Sequence, residues 1–146
     1  MSDTLVAYFS ATGVTRKKAK ALAKVRKADL YEITPKKMYT NKDLDWNNGK
    51  SRTSMEMKDE DIRPELANIP LPEENYRTVY VGFPIWWYTA PRIINSFLEK
   101  EDFGDAEIHL FATSGGSTIQ RAVKDLQRLY PKLRIKDGKM LNGAVK

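Results

Sequence analysis

The chain has no cysteine and a single histidine, His109, among its 146 residues. That rules out disulfides, thiolate nucleophiles and iron–sulfur clusters, and one imidazole is too few for the usual zinc sets. No apolar run approaches the roughly 20 residues a membrane helix needs. The opening Met1-Ser2-Asp3-Thr4 also lacks the basic flank of a secretory leader. A cytoplasmic location is the expectation.

Other absences narrow the chemistry. The loop after the first apolar run, Ser10 to Thr15, lacks the Gly-Lys-Ser/Thr ending of a Walker loop. Ser10-Ala11-Thr12 stands after the first apolar run, where a phospho-acceptor receiver would need paired acids. No cysteine is present for a tyrosine-phosphatase loop, and a Ser-His-Asp triad has no support, because His109 lies between Ile108 and Leu110 where packing or hydrogen bonding is its natural role.

What is present suits a folded, water-exposed chain. Hydrophobic residues make up 41% and charged residues 30%, far from the polar extreme that prevents collapse. The length fits one domain, residues 1–146, able to bury roughly two thirds of its unfolded surface. The net charge of +6 is uneven: Arg16, Lys17, Lys18, Lys20, Lys24, Arg26 and Lys27 crowd one acid-free segment, whereas Asp43 to Glu74 is rich in carboxylates. No aromatic residues interleave these cations, which argues against nucleic acid as the partner.

Thr4 to Phe9 is a nearly continuous apolar run, as in a strand covered on both faces. Ala19, Leu22 and Ala23 then share one helical face, with Lys17, Lys20, Lys24 and Lys27 on the other. Asp29 to Ile33 reads as a second strand, joined by a right-handed parallel crossover. Residues 34–76, broken by prolines, suggest only short helical pieces near Lys42 and Arg52.

The pattern then becomes regular again. Thr78 to Phe83 is an interior strand stopped by Pro84; a helix begins at Pro91 and pairs Ile93 with Phe97 and Ile94 with Leu98; Ile108 to Ala112 is a further strand. Ser117-Thr118-Ile119-Gln120 has a capping spacing ahead of a helix through Ile119, Val123, Leu126 and Tyr130, and Lys132 to Lys136 reads as a charged edge strand. The class is α/β with a parallel sheet.

In such sheets ligands collect where strands end, so three loops stand out. Ser10 to Thr15 brings three hydroxyls and a glycine to a helix N-terminus; an anion site and simple helix capping by Ser10 and Thr12 both fit. Pro84-Ile85-Trp86-Trp87-Tyr88 places three large rings where at least one must be poorly buried. Thr113-Ser114-Gly115-Gly116-Ser117 allows close backbone approach to a ligand edge. Trp46, in the irregular segment, is expected to anchor that segment onto the core.

Taken together, Tyr8 to Gly13, Asp43-Leu44-Asp45-Trp46, Phe83 to Trp87 with Ala90-Pro91-Arg92, and Thr113 to Ser117 resemble the flavodoxin family, in particular its compact bacterial members with a Pro-Ile-Trp-Trp loop. The resemblance implies a three-layer α/β/α fold with a five-stranded parallel sheet in the order 2-1-3-4-5, and FMN as the cofactor. It implies that Ser10, Thr12, Gly13, Val14 and Thr15 hold the phosphate, that Pro84, Ile85, Trp86, Trp87 and Tyr88 flank the isoalloxazine ring, and that Thr113, Ser114, Gly115 and Gly116 meet its pyrimidine edge through the main chain. No catalytic residue and no metal ligand is expected.

The chain departs from the family pattern in two places. Val14 stands where many relatives carry a polar side chain, so one phosphate contact is expected to be lost. After Leu141 the residues do not read as the usual terminal helix, so that helix is expected to be missing and a sheet face left open or covered by a partner. The resemblance implies an electron carrier serving redox proteins, acidic ones by charge, or a small-molecule acceptor, with a homo-oligomer left open. Relatives often flip a peptide beside the flavin, and a positive φ without glycine costs ~1–2 kcal/mol. Pro84 to Pro91 contains no glycine, which keeps open an FMN-dependent NAD(P)H:quinone-type oxidoreductase, alongside an interaction module that has lost flavin.

Overall fold

The structure is a computed structural model that describes residues 3–67, 69–73, 75–113 and 118–141. Five strands form one parallel sheet: β1 (Thr4–Tyr8), β2 (Asp29–Glu32), β3 (Thr78–Pro84), β4 (Glu107–Thr113) and β5 (Arg134–Met140), in the order β2-β1-β3-β4-β5. Four helices are described: α1 (Val14–Arg26), α2 (Arg52–Lys58), α3 (Arg92–Lys100) and α4 (Gln120–Leu129). The layers and strand order implied by the family resemblance are therefore present.

The central strands are largely apolar because α3 and α4 cover one face of the sheet and α1 covers much of the other. Leu5, Ala7, Val79, Val81, Phe83, Ile108, Leu110 and Ala112 pack with Ile93, Ile94, Phe97 and Leu126 of α3 and α4. The opposite face sends Val6, Tyr8 and Phe111 against Ala19, Leu22 and Ala23 of α1. Gly82 is required here: a Cβ would come within 2.0 Å of the Phe111 ring.

β5 runs later than the charge alternation suggests. Its pairing jumps from Ile108–Ile135 to His109–Asp137, a bulge that leaves Lys136 extra, and continues to Ala112–Met140. Backbone pairing with β4 and contact with α4 extend this edge strand past its one well-buried residue, Ile135. Gly138 lies so close to Val123 that a Cβ would sit 2.6 Å from that side chain.

On the α1 side the sheet becomes polar towards β5. His109 Nδ1 is 2.7 Å from Asp137 Oδ1 and its Nε2 is 3.5 Å from Glu107. Tyr80 lies 5.5 Å from the imidazole, centroid to centroid, beneath the Arg26 guanidinium. His109 thus serves hydrogen bonding, as its sequence setting suggests. The expectation that a terminal helix is missing concerns residues 142–146, which lie outside the described part of the chain.

Candidate functional site

Of the two roles that the sequence left for Ser10 and Thr12, side-chain capping of α1 is not seen among the described residues. Helix α1 is preceded by Gly13 at φ 97°, and no side chain caps it. Instead, the Ser10 hydroxyl accepts the Gly13 N–H at 3.0 Å, curling the loop before the helix starts. The first bond of the helix is Lys17 N–H to Gly13 O, at 3.2 Å. The amides of Val14, Thr15 and Arg16 therefore find no acceptor among the described residues, as at any helix start without a cap.

No acid lies in that first turn, and a Cβ on Gly13 would meet nothing within 4 Å. Free amides, three neighbouring hydroxyls, the positive end of the helix dipole and open space make a donor set suited to a phosphate. Val14 turns its side chain outward, 54% exposed, so its lack of a polar group leaves its backbone donor in place.

The aromatic loop is a tight hairpin. Trp86 N–H donates to Thr89 O at 2.9 Å and Thr89 N–H returns to Trp86 O at 3.0 Å. Trp87 and Tyr88 between them have φ of 48° and 69°. Two central residues at positive φ make a type I′ turn, normally built from Asn and Gly. Positive φ in a loop without glycine thus occurs here twice over, because the Trp86–Thr89 bonds and a 2.7 Å bond from the Thr89 hydroxyl to Asp125 hold the turn.

Trp87 and Tyr88 stand out from the surface at 40% and 66% exposure, while Trp86 turns inward. Its ring packs edge-on to Phe9 at 5.5 Å and to Tyr39 at 5.4 Å. Pro84 ends β3 opposite Thr113, and Ile85 packs on the core.

The first two loops meet the end of β4 at Thr113, a buried residue. Its hydroxyl is 2.9 Å from that of Thr15, its carbonyl accepts Ile85 N–H at 3.1 Å, and it closes β4. Ser114, Gly115 and Gly116, expected at the pyrimidine edge, lie outside the described residues, as does Ser117 of the proposed cap. Thr12 is exposed at the loop's rim.

Two residues here were not singled out from the sequence. Tyr39 joins Phe9 and Trp86 in a ring trio, and Arg52 lays its guanidinium 3.8 Å from the Tyr39 centroid. Arg52 also donates to Glu56 at 3.1 Å and to the carbonyl of Lys37 at 2.8 Å. Burial, together with the Glu56 carboxylate 2.6 Å away, pushes the Tyr39 phenol above its ordinary value. Trp46 does not anchor this segment: it is 71% exposed, and Arg52, Tyr39 and the two Thr53 bonds to Asp43 O do the anchoring instead. No sequence periodicity marks these partners.

A recess of about 1050 Å³ opens at the other end of the sheet, lined by Asp3, Tyr76, Arg77, Phe103, Glu107 and Arg134 among others. Its six carboxylates, Asp3, Glu73, Glu101, Asp102, Asp105 and Glu107, against two arginines make it inhospitable to a phosphate. Among the described residues no cluster could hold a metal ion, and no helix is long and apolar enough to cross a membrane.

The flavodoxin family model matches residues 3–146. The chain belongs to the flavodoxin family. A candidate flavoprotein from Bacteroides uniformis is 50% identical, with a TM-score of 0.93 over 99% of this chain and 92% of that one. A second, from Bacteroides eggerthii, is 45% identical, with a TM-score of 0.94 over 98% and 90%. A flavoprotein from Lactobacillus acidophilus, solved in complex with FMN, shares the fold at a TM-score of 0.78 over 96% and 93%, at 20% identity. Among curated proteins none matches the chain.

Proposed function

We propose that this flavodoxin-family chain binds FMN and works as an electron carrier. The observation that carries the proposal is the meeting of the phosphate-type loop, the aromatic hairpin and the end of β4 at Thr113. Bound FMN would supply the redox chemistry. The chain's own residues have separate tasks: the α1 amides and the Ser10, Thr12 and Thr15 hydroxyls would bind the phosphate, and the Trp86 hairpin would orient and shield the ring.

Exposed lysines on α1 lie beyond the phosphate loop, which suits an acidic redox protein as the electron donor or acceptor. Arg16 is partly neutralised by Glu32, 2.8 Å away.

A specific observation also favours the enzyme reading, an FMN-dependent NAD(P)H:quinone-type oxidoreductase. Flipping the central peptide of a type I′ turn yields type II′, whose first central position is a glycine site. Here that position is Trp87, so the flip is costly and two-electron exchange is favoured. The test is direct: FMN is added to the purified chain, which is then gel-filtered and its visible spectrum recorded. One retained flavin per chain is expected; a colourless chain with no affinity for FMN would leave an interaction module as the reading. Steady-state NAD(P)H oxidation with a quinone then separates reductase from carrier.

A further inference from the structure

Thr15 and Thr113 are 98 residues apart in sequence, yet their hydroxyls meet at 2.9 Å, with 2% and 5% of each residue exposed. The pairing follows from the local structure. On β4, Ile108, Leu110 and Ala112 point to α3 and α4, so Phe111 and Thr113 point to α1. Thr15 is the second residue of α1. A threonine deeper in a helix often bonds the carbonyl four residues back, but here that carbonyl precedes the helix, and the hydroxyl turns to Thr113 instead.

Two hydroxyls hold two protons, and the bond between them uses one. Neither oxygen has another partner among the described residues, so among them one donor of this buried pair has no acceptor. If Thr113 donates to Thr15, the free proton sits on Thr15, in the same helical turn as the unpaired amides of Val14, Thr15 and Arg16. An anion at the helix start selects that direction, because it attracts the donor and polarises the bond behind it.

Resting on the FMN reading above, we propose that Thr113 is a positioning residue for phosphate recognition: it donates to Thr15, and Thr15 donates to the phosphate. The same residue's carbonyl fixes Ile85 at the base of the aromatic hairpin. The relay thereby links the grip on the phosphate to the strand end from which the ring loop departs.

The test uses the ratio of riboflavin to FMN dissociation constants, since riboflavin lacks only the phosphate. Thr113→Val keeps the shape and removes the hydroxyl, and the ratio should fall about tenfold. Thr113→Ser keeps the hydroxyl and should restore the ratio to the wild-type value. Thr113→Ala gives the same reading if the valine variant does not fold, and each variant's melting temperature is recorded. A Thr113→Val ratio equal to wild type overturns the relay and assigns the pair to packing alone. A wild-type chain that binds FMN no better than riboflavin, or binds neither, overturns the phosphate reading itself and the relay with it.

Discussion

Phe111 of β4 covers Gly82 of β3 so closely that a Cβ on Gly82 would lie 2.0 Å from the ring. The ring is 2% exposed and has little room to retreat. Gly82→Ala should therefore cost about 1–3 kcal/mol by overpacking, read as a lower urea midpoint with an unchanged slope. An unaffected midpoint would show that the α1 layer yields readily at this position.

The hairpin tip carries strain that can be measured. Tyr88 is exposed and at φ 69°, so Tyr88→Gly releases about 1–2 kcal/mol of left-handed strain against about 0.5–1 kcal/mol of added chain entropy. The apo protein should gain about 0.5–1 kcal/mol in equilibrium unfolding. Trp87→Gly has a different consequence, because it makes the first central position compatible with a flipped peptide. Stepwise photoreduction with FMN should accumulate little half-reduced flavin in the wild type and clearly more in Trp87→Gly; abundant accumulation in both would remove the turn from the account.

Asp43 gives a pH-dependent prediction. Its carboxylate accepts Thr40 N–H at 3.0 Å while the Thr40 hydroxyl accepts Asp43 N–H at 3.1 Å, a reciprocal capping pair. The Thr40 backbone bond, helped by the Thr40 side chain and Arg52, holds its pKa below the ordinary 3.8. A depressed carboxyl stabilises the fold above its unfolded pKa, and that contribution is lost as pH falls through the folded value. Asp43→Asn should thus be less stable than wild type at pH 7, and the two unfolding curves should converge below pH 4. A gap that stays constant down to pH 2 would exclude the charge as its cause.

Net charge sets a redox expectation. With a formal charge of +6, the chain should favour an anionic reduced flavin and show a less negative two-electron potential than acidic flavodoxins. The double substitution Lys17→Glu with Lys20→Glu should lower that potential, by less at high salt. Titration against reference dyes reads both effects, and an equal or lower wild-type potential would contradict the argument.

Much of this architecture is visible in the residues, for identifiable reasons. β1, β3 and β4 are covered by α3 and α4 on one face and by α1 over much of the other, so Leu5 to Phe9, Val79 to Phe83 and Ile108 to Ala112 read as largely apolar runs. β5 is misplaced by the same logic, since backbone pairing, and not side-chain pattern, carries it through Asp137, Gly138 and Lys139. At the candidate site, the ends of β1, β3 and β4 are legible because hydroxyl residues, proline and glycine follow or close them. The contacts that unite them are not: Thr15 with Thr113, or Arg52 with Tyr39, are tertiary matches that no local spacing encodes. The type I′ turn runs against local propensity, and only its supporting bonds explain it.

The contact of Arg52 with Tyr39, and of Tyr39 with Trp86, joins α2 to the hairpin mechanically. Chain 36–65, fastened at the Pro35–Leu66 bridge, and residues 86–89 then form one cooperative unit, and their amides should exchange with solvent at matching rates. Loosening the helix would free the ring loop and also unseat Phe9, which packs on Tyr39 and Trp86 one residue before Ser10, so the disturbance would spread into the turn ahead of α1.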